Sequence, residues 1–249
     1  MLGFEFSVVL AIYTIFLLAG FVKGVLGFGL PLFTMSFLPF FVPVEMAIVL
    51  STLVQPITNI GQLIGSGGFA GALRTSFPIL LCLLPGVAVG AWYLTSLDNQ
   101  TLLFILGIAV VAFSLFNLSG YQVTIQENVR FAYGLVTGFL AGVTGALTSI
   151  NGPVYIFYLL GIGQSRSEFR STIALLFIVS GTLISSGFWV IGIVTAKVFV
   201  FSLTTLLPAF AGMWIGNLVG SRMPAEAFLK LVLFALIAMG CVFMYRSFQ

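Results

Sequence analysis

The chain is organised around Gly20-Phe-Val-Lys-Gly24-Val-Leu-Gly27-Phe-Gly29-Leu-Pro31, a stretch that closes the first apolar segment. A related stretch, Gly138-Phe-Leu-Ala-Gly142-Val-Thr-Gly145, closes the fifth long apolar segment and runs on through Ser149-Ile-Asn151-Gly-Pro153. In both copies the glycines recur at steps of four and then three, and a proline and a short apolar run follow. A glycine in a helix interior costs about 1 kcal/mol relative to alanine, so the repeated pattern needs a structural reason. We expect either close helix packing or a helix that breaks and exposes its backbone amides.

The composition places the chain in a membrane. Of its 249 residues, 60% are hydrophobic and 6% are charged, and the mean hydropathy is +1.22. A soluble domain carries roughly 25% charged residues, so this chain could not cover its surface with polar groups. The apolar runs are continuous rather than alternating, which favours spanning helices over a barrel. The predicted fold class is therefore an all-α polytopic membrane protein.

The two halves of the sequence can be aligned with each other. Arg74 and Pro85 correspond to Lys197 and Pro208 at one constant offset. Each half holds four long apolar segments and one short segment, which is too brief for a straight span. We therefore predict an internal duplication, with a first membrane repeat at residues 1–120, a linker at 121–130 and a second membrane repeat at 131–249.

The positive charges indicate how the two halves are oriented. If the short segments cross the bilayer, one side receives Lys23, Arg74, Arg130, Arg166, Arg170 and Arg222, whereas Lys197 and Arg246 fall on the other. The positive-inside rule therefore favours five crossings per half. An odd number inverts the second copy relative to the first, as in many secondary transporters. The prediction is two inverted-topology repeats, each with four long helices and one short broken or half-helix segment, whose irregular backbone must be buried or line a cavity.

Polar residues near the predicted breaks could line a site for a solute. A stripe on the third segment presents Gln55 and Asn59 on one helix face. Amides at this depth are costly unless they face a cavity or a neighbouring helix, so site lining and interhelical hydrogen bonding both remain open. The second break adds the hydroxyl and amide donors of Thr148, Ser149 and Asn151.

Two cations complete the predicted site. Lys23 lies inside the first glycine motif, where it could neutralise an anion or extend toward the membrane surface as a topology marker. Arg170 lies at the mouth of the second half, as a docking point for anions or an ordinary inner-side anchor. Free amides and helix starts at the glycine motifs would favour negative charge. The predicted substrate-binding residues are Lys23, Gly24, Gly27, Gln55, Asn59, Thr148, Ser149, Asn151 and Arg170.

Several kinds of function are disfavoured by what the sequence lacks. There is no histidine, and all six acidic residues lie at segment ends, so a proton relay through a carboxylate in mid-membrane has little support. No nucleophile–base pair, metal-ligand spacing or phosphate-binding loop appears, so we expect neither an enzyme nor a bound cofactor or metal. The net charge of +3 is too small to indicate nucleic acid. The sequence leaves a homodimer open.

The two glycine motifs, together with Leu84-Pro-Gly86 and Pro208-Ala-Phe-Ala-Gly212 in the fourth segments, resemble the TauE/SafE sulfite exporter family, also called the 4-toluene sulfonate uptake permeases. The resemblance implies export or uptake of small sulfur-containing anions, sulfite or organosulfonates, across a bacterial inner membrane. We therefore predict a multi-pass secondary transporter that works by alternating access. A passive anion channel and a non-transporting structural subunit of a membrane complex remain as alternatives.

Overall fold

The computed structural model describes residues 4–120, 124–220 and 225–248, which contain ten α-helices. Their bounds are α1 Phe6–Leu26, α2 Leu30–Phe37, α3 Val44–Ser66, α4 Phe69–Ser96, α5 Asn99–Leu118, α6 Arg130–Thr148, α7 Gly152–Gly161, α8 Arg166–Val190, α9 Ala196–Gly220 and α10 Ala225–Arg246. Eight of the helices described are long and apolar enough to cross a bilayer, and α2 and α7 are the short ones. The predicted all-helical membrane fold is confirmed. Arg222 and the side chain of Arg166 lie outside the described residues.

Both glycine motifs end in a helix break, which was one of the two structural reasons expected for their glycines. Between α1 and α2, Gly27 and Gly29 have φ angles of 82° and 101°. Glycine adopts this left-handed region without the steric penalty that a Cβ would bring, which explains why the chain turns here. The second break lies at residues 149–151, between α6 and α7, and there Ser149 has a φ of 60°.

The helices form two compact units. The first comprises Met1–Val54, Leu97–Tyr121 and Val194–Gln249, and the second comprises Gln55–Ser96 and Gln122–Ile193. In the first unit α1 packs on α9, and in the second unit α6 packs on α4. These are corresponding pairs if the two sequence halves are copies of one another. The repeat boundaries at 1–120 and 131–249 and the opposite orientation of the copies stay predictions.

Glycines allow each of these helix pairs to approach backbone to backbone. A Cβ built at Gly20 would overlap the Ala209 carbonyl on α9, and one at Gly138 would overlap the Ile79 carbonyl on α4. Similar close approaches to a backbone carbonyl occur at Gly24, Gly86, Gly90, Gly142, Gly212 and Gly216. The glycines spaced by four therefore serve close packing, as small residues do between membrane helices. In the first motif, the break is made by the glycines that follow.

Replacing Gly138 by alanine should destabilise the protein. The added methyl group would overlap the Ile79 carbonyl and force α4 away from α6, and overpacking of this kind costs about 1–3 kcal/mol. The melting temperature in detergent should fall for Gly138→Ala. Gly61→Ala is the matched control, because a Cβ at Gly61 on α3 meets nothing within 4 Å. Equal melting temperatures for Gly138→Ala and Gly61→Ala would contradict the close packing described for α4 and α6.

Candidate functional site

The start of α7, in the second unit, carries backbone donors that its own helix does not use. The first turn of a helix has no intrahelical acceptors for its amides, and in α7 these are the amides of Gly152 and Val154, since Pro153 has no N–H. Asn151 occupies the N-cap position but makes no capping hydrogen bond with its side chain. The start of α7 is therefore an uncapped, partially positive helix end inside a highly apolar protein.

The Asn151 side chain instead joins a buried chain of hydrogen bonds. Gln55 Nε2 donates to Asn151 Oδ1 at 3.2 Å, and Asn151 Nδ2 donates to Ser180 Oγ at 3.0 Å. Ser180 in turn donates to the Leu176 carbonyl of its own helix at 2.7 Å. We call Gln55, Asn151 and Ser180 the amide cluster, and none of the three is more than 1% exposed. The cluster joins α3, the second break and α8.

One buried atom of the amide cluster, Gln55 Oε1, has no hydrogen-bond partner among the described residues. The buried Tyr155 hydroxyl lies beside Ser180. The Tyr155 ring is held by an edge-to-face contact with Phe177, with centroids 5.9 Å apart. A buried polar atom without a partner costs about 1–3 kcal/mol. A polar guest at this cluster would therefore be stabilised more than it would be elsewhere in the apolar interior.

Gly181 leaves room beside the unpartnered end of the Gln55 amide. A Cβ at Gly181 would lie 3.1 Å from Gln55 Oε1 and 2.9 Å from Pro56 Cδ. Any larger residue on this face of α8 would crowd the amide. The glycine therefore keeps the outer atom of the Gln55 side chain uncovered.

Three further predicted residues lie near the amide cluster, and the side chains of Asn59 and Thr148 are bonded to the backbone. Asn59 donates to the Gln55 carbonyl at 2.7 Å. The Thr148 hydroxyl donates to the Thr144 carbonyl at 2.7 Å and accepts from the Ile150 amide at 3.2 Å. Ser149 is buried and donates its amide to Gly145 at 2.8 Å. These residues stabilise the break, and Gln55 and Asn151 are the predicted residues whose side chains meet.

Arg170 lies apart from the amide cluster. It is exposed, and its carbonyl accepts a hydrogen bond from Gln62 at 3.1 Å. Ten residues separate it from Ser180 on α8, which is about 15 Å along a helix that rises 1.5 Å per residue. The structure therefore does not bring Arg170 to Gln55 and Asn151.

The remaining predicted residues belong to the first unit. Lys23 is 3% exposed and lies in the last turn of α1, where the helix end favours a cation. Gly24 packs against the Met213 backbone of α9, which accounts for a glycine at that position. The Gly27 amide, expected to be free, donates to the Lys23 carbonyl at 2.7 Å. A substrate-binding role for these three residues stays a prediction.

A cavity of about 810 Å³ lies elsewhere in the second unit, where the starts of α4, α6 and α8 meet. Its charged lining residues are Arg74, Glu127, Arg130 and Glu168, and Arg130 pairs with Glu127 at 3.6 Å. These charges balance, so the cavity has no evident preference for anions. None of the amide cluster lines it. The amide cluster, although more enclosed, is therefore the better candidate site.

Tyr155, Gly181 and Ser180 are not among the site residues predicted from the sequence. Ser180 was one of several small polar residues of α8, and nothing in their spacing set it apart. Tyr155 follows Pro153 in a short apolar run, where an aromatic residue is ordinary. Which of these side chains meet depends on how α7 packs on α8, and the sequence pattern does not encode that.

Comparison with known proteins agrees with this architecture. The family model described as sulfite exporter TauE/SafE matches residues 12–243. The chain belongs to the TauE/SafE sulfite exporter family. A curated relative from Comamonas testosteroni, described as the probable inner membrane transporter protein TsaS, is 28% identical over 163 residues, which cover 64% of this chain and 68% of the relative. No solved structure matches the chain.

As a member of the TauE/SafE family, the chain is a membrane transporter. The match covers both glycine motifs, both breaks and the whole amide cluster. The relative's description and the eight spans of the described residues together confirm the predicted multi-pass inner-membrane location. Both descriptions concern transport and neither concerns catalysis.

Substitutions at Ser149 test the left-handed turn of the second break. Ser149→Gly and Ser149→Ala both remove the hydroxyl, but only alanine keeps a Cβ at a φ of 60°. A Cβ in this region costs roughly 1–2 kcal/mol. We therefore expect Ser149→Gly to melt at a higher temperature than Ser149→Ala. At an ordinary helix position the order would be reversed, so a more stable alanine variant would contradict this backbone conformation.

Proposed function

We propose that the chain is a secondary transporter of small sulfur-containing anions, sulfite or organosulfonates, across a bacterial inner membrane. The observation that carries the proposal is the uncapped start of α7, whose first-turn amides point donors away from their own helix. The family description supports a sulfite-like anion, and the description of the TsaS relative supports transport across an inner membrane.

The chemistry of the start of α7 suits an oxyanion. Sulfonate oxygens accept hydrogen bonds and stay ionised at physiological pH, so the site needs donors rather than a titrating carboxylate. The amides of Gly152 and Val154 are such donors, and helix starts commonly hold phosphate and sulfate groups. Hydrogen bonds to an ionised acceptor are roughly twice as strong as neutral ones. No member of the amide cluster is acidic, so the cluster itself does not repel an anion.

Alternating access is the proposed mechanism, because both breaks follow long helices in corresponding positions of the two sequence halves. Transporters with inverted repeats commonly bind substrate at such interrupted helices and alternate their access by moving one repeat. A carrier of this kind should show saturation and exchange of labelled for unlabelled anion. A passive channel would conduct without saturation, and a structural subunit would not transport when purified.

Removing either amide of the cluster should abolish transport by a folded protein. We expect Gln55→Leu and Asn151→Leu to lower the uptake of labelled sulfite into proteoliposomes at least tenfold, since hydrogen bonds to charged groups contribute about 1.5–3 kcal/mol. Uptake of an organosulfonate and of sulfate, at imposed pH gradients, would define the substrate and any coupling to protons.

Gln62→Leu is the matched control for these variants. Gln62 is also an amide of α3, but it bonds to the Arg170 carbonyl and lies outside the amide cluster. It should retain wild-type uptake, and all three variants should remain folded at the temperature of the assay. Undiminished sulfite uptake by both Gln55→Leu and Asn151→Leu would show that the site is elsewhere. An inactive wild-type protein would count against the transport proposal itself.

A further inference from the structure

The cavity at the starts of α4, α6 and α8 carries charges that the proposed function does not use. Arg130 pairs with Glu127 at 3.6 Å and also lies near Glu168. Arg74, by contrast, makes no ion pair with any side chain that the structure describes. The cavity therefore combines an unpaired cation on α4 with surplus negative charge where α6 and α8 begin. This distribution suits a ligand that carries one charge of each sign.

The carboxylate of Glu168 has an oxygen to spare for such a ligand. Its Oε2 atom accepts from the amide and the hydroxyl of Ser165, at 3.0 and 2.7 Å, as part of the N-terminal cap of α8. None of the described side chains donates to Oε1. A primary ammonium group could therefore bond to Oε1 while the helix cap stays intact.

The rim of the cavity is apolar. Phe77 on α4 and Phe131 on α6 both line the cavity, and each is more than half exposed. On α4 the exposed face continues through Leu81 and Leu84, at helical spacing from Phe77. The rise from Phe77 to Leu84 is about 10 Å, so this face leads from the cavity toward the middle of the span. An acyl chain could lie along it while a polar head occupies the cavity.

The head of an ethanolamine phospholipid matches these features. Its phosphate is a bidentate acceptor for the Arg74 guanidinium, and its primary ammonium can donate to Glu168. A choline head has the same charges but no N–H to donate, and a purely anionic head would leave the acids without a partner. The cavity volume of about 810 Å³ is within the roughly 300–1,000 Å³ usual for sites of small ligands.

We propose that this cavity binds the head of an ethanolamine phospholipid, with the phosphate on Arg74, the ammonium on Glu168 and an acyl chain along the exposed face of α4. Charged pockets between membrane helices at the bilayer surface commonly hold lipid heads. The site is separate from the amide cluster, so the proposal does not depend on transport. A lipid bound here contacts α4, α6 and α8 together and should raise the melting temperature of the protein.

Native mass spectrometry of the full chain in detergent tests this site. Phosphatidylethanolamine, phosphatidylcholine and phosphatidylglycerol with identical acyl chains are added in equal amounts. Wild-type protein should retain the ethanolamine lipid about threefold to tenfold more than either other lipid, because hydrogen bonds between charged groups are strong. This comparison needs no variant.

Substitutions then assign the two charges. Arg74→Gln should lower the retention of phosphatidylethanolamine about threefold to tenfold, since the phosphate loses its cation. Glu168→Gln should remove the preference for the ethanolamine over the choline lipid, while glutamine can still cap α8. Lys197→Gln and Glu45→Gln are the matched controls. They remove a cation and an acid from the first turns of α9 and α3, outside the cavity, and should leave lipid retention unchanged.

Three results would overturn the proposal. The first is equal retention of the three lipids by wild-type protein, or stronger retention of the choline or glycerol lipid. The second is unchanged retention of phosphatidylethanolamine by Arg74→Gln. The third is displacement of the lipid by an equal concentration of phosphoethanolamine, which has the same head but no acyl chain and would mark a site for a soluble zwitterion. None of these results bears on sulfite uptake, so the proposed function stands or fails separately.

Discussion

Inside a bilayer, backbone that leaves a helix has no water to bond with, and this constraint organises the structure. Irregular backbone at that depth is tolerated only where protein surrounds it or where it lines a cavity. At the second break Ser149 and Asn151 are at most 1% exposed, and the Ile150 amide is bonded by the Thr148 hydroxyl. The backbone at this break is thus hydrogen-bonded by groups close to it in the sequence. The donors at the start of α7 stand out because Asn151 is turned away from them.

Close packing keeps the interrupted helices inside the protein. The glycines that precede each break let α1 approach α9 and α6 approach α4 to backbone contact. A helix held this closely cannot easily move its end toward lipid. The two parts of each motif are thus connected. The glycines spaced by four hold the helix against its neighbour, and the residues that follow them form the break. The polar cluster is then supported by rigid elements, which favours a defined binding geometry.

Much of this arrangement could be predicted from the sequence. Continuous apolar runs predicted the spans, and the Gly and Pro pattern predicted the positions of both breaks. Gln55 was predicted as a site residue because amides are costly in an apolar segment, and Asn151 because it offers a donor in the second break. The structure pairs the two side chains. The sequence could not separate the packing role of Gly24 from a binding role, because both favour a residue without a side chain.

The rest depended on tertiary contacts that no periodicity encodes. Thr148 looked like a donor for a solute, but its hydroxyl is bonded to the Thr144 carbonyl. Arg170 looked like an electrostatic partner, but it lies about 15 Å along α8 from Ser180. The place of Tyr155 beside Ser180 has no signal in the sequence, because it depends on which side of α7 faces α8. A left-handed Ser149 was equally hidden, since glycine is the residue expected there.

The most direct test is the position of a bound anion. Selenite has the shape and charge of sulfite, and its selenium atom can be located by anomalous diffraction from crystals grown with it. The account predicts a selenium peak at the start of α7, within about 4 Å of the Gln55 side-chain amide and the Gly152 nitrogen, as hydrogen bonds to its oxygens require. Selenium bound only in the cavity beside Arg74 and Arg130, with none at the amide cluster, would contradict it.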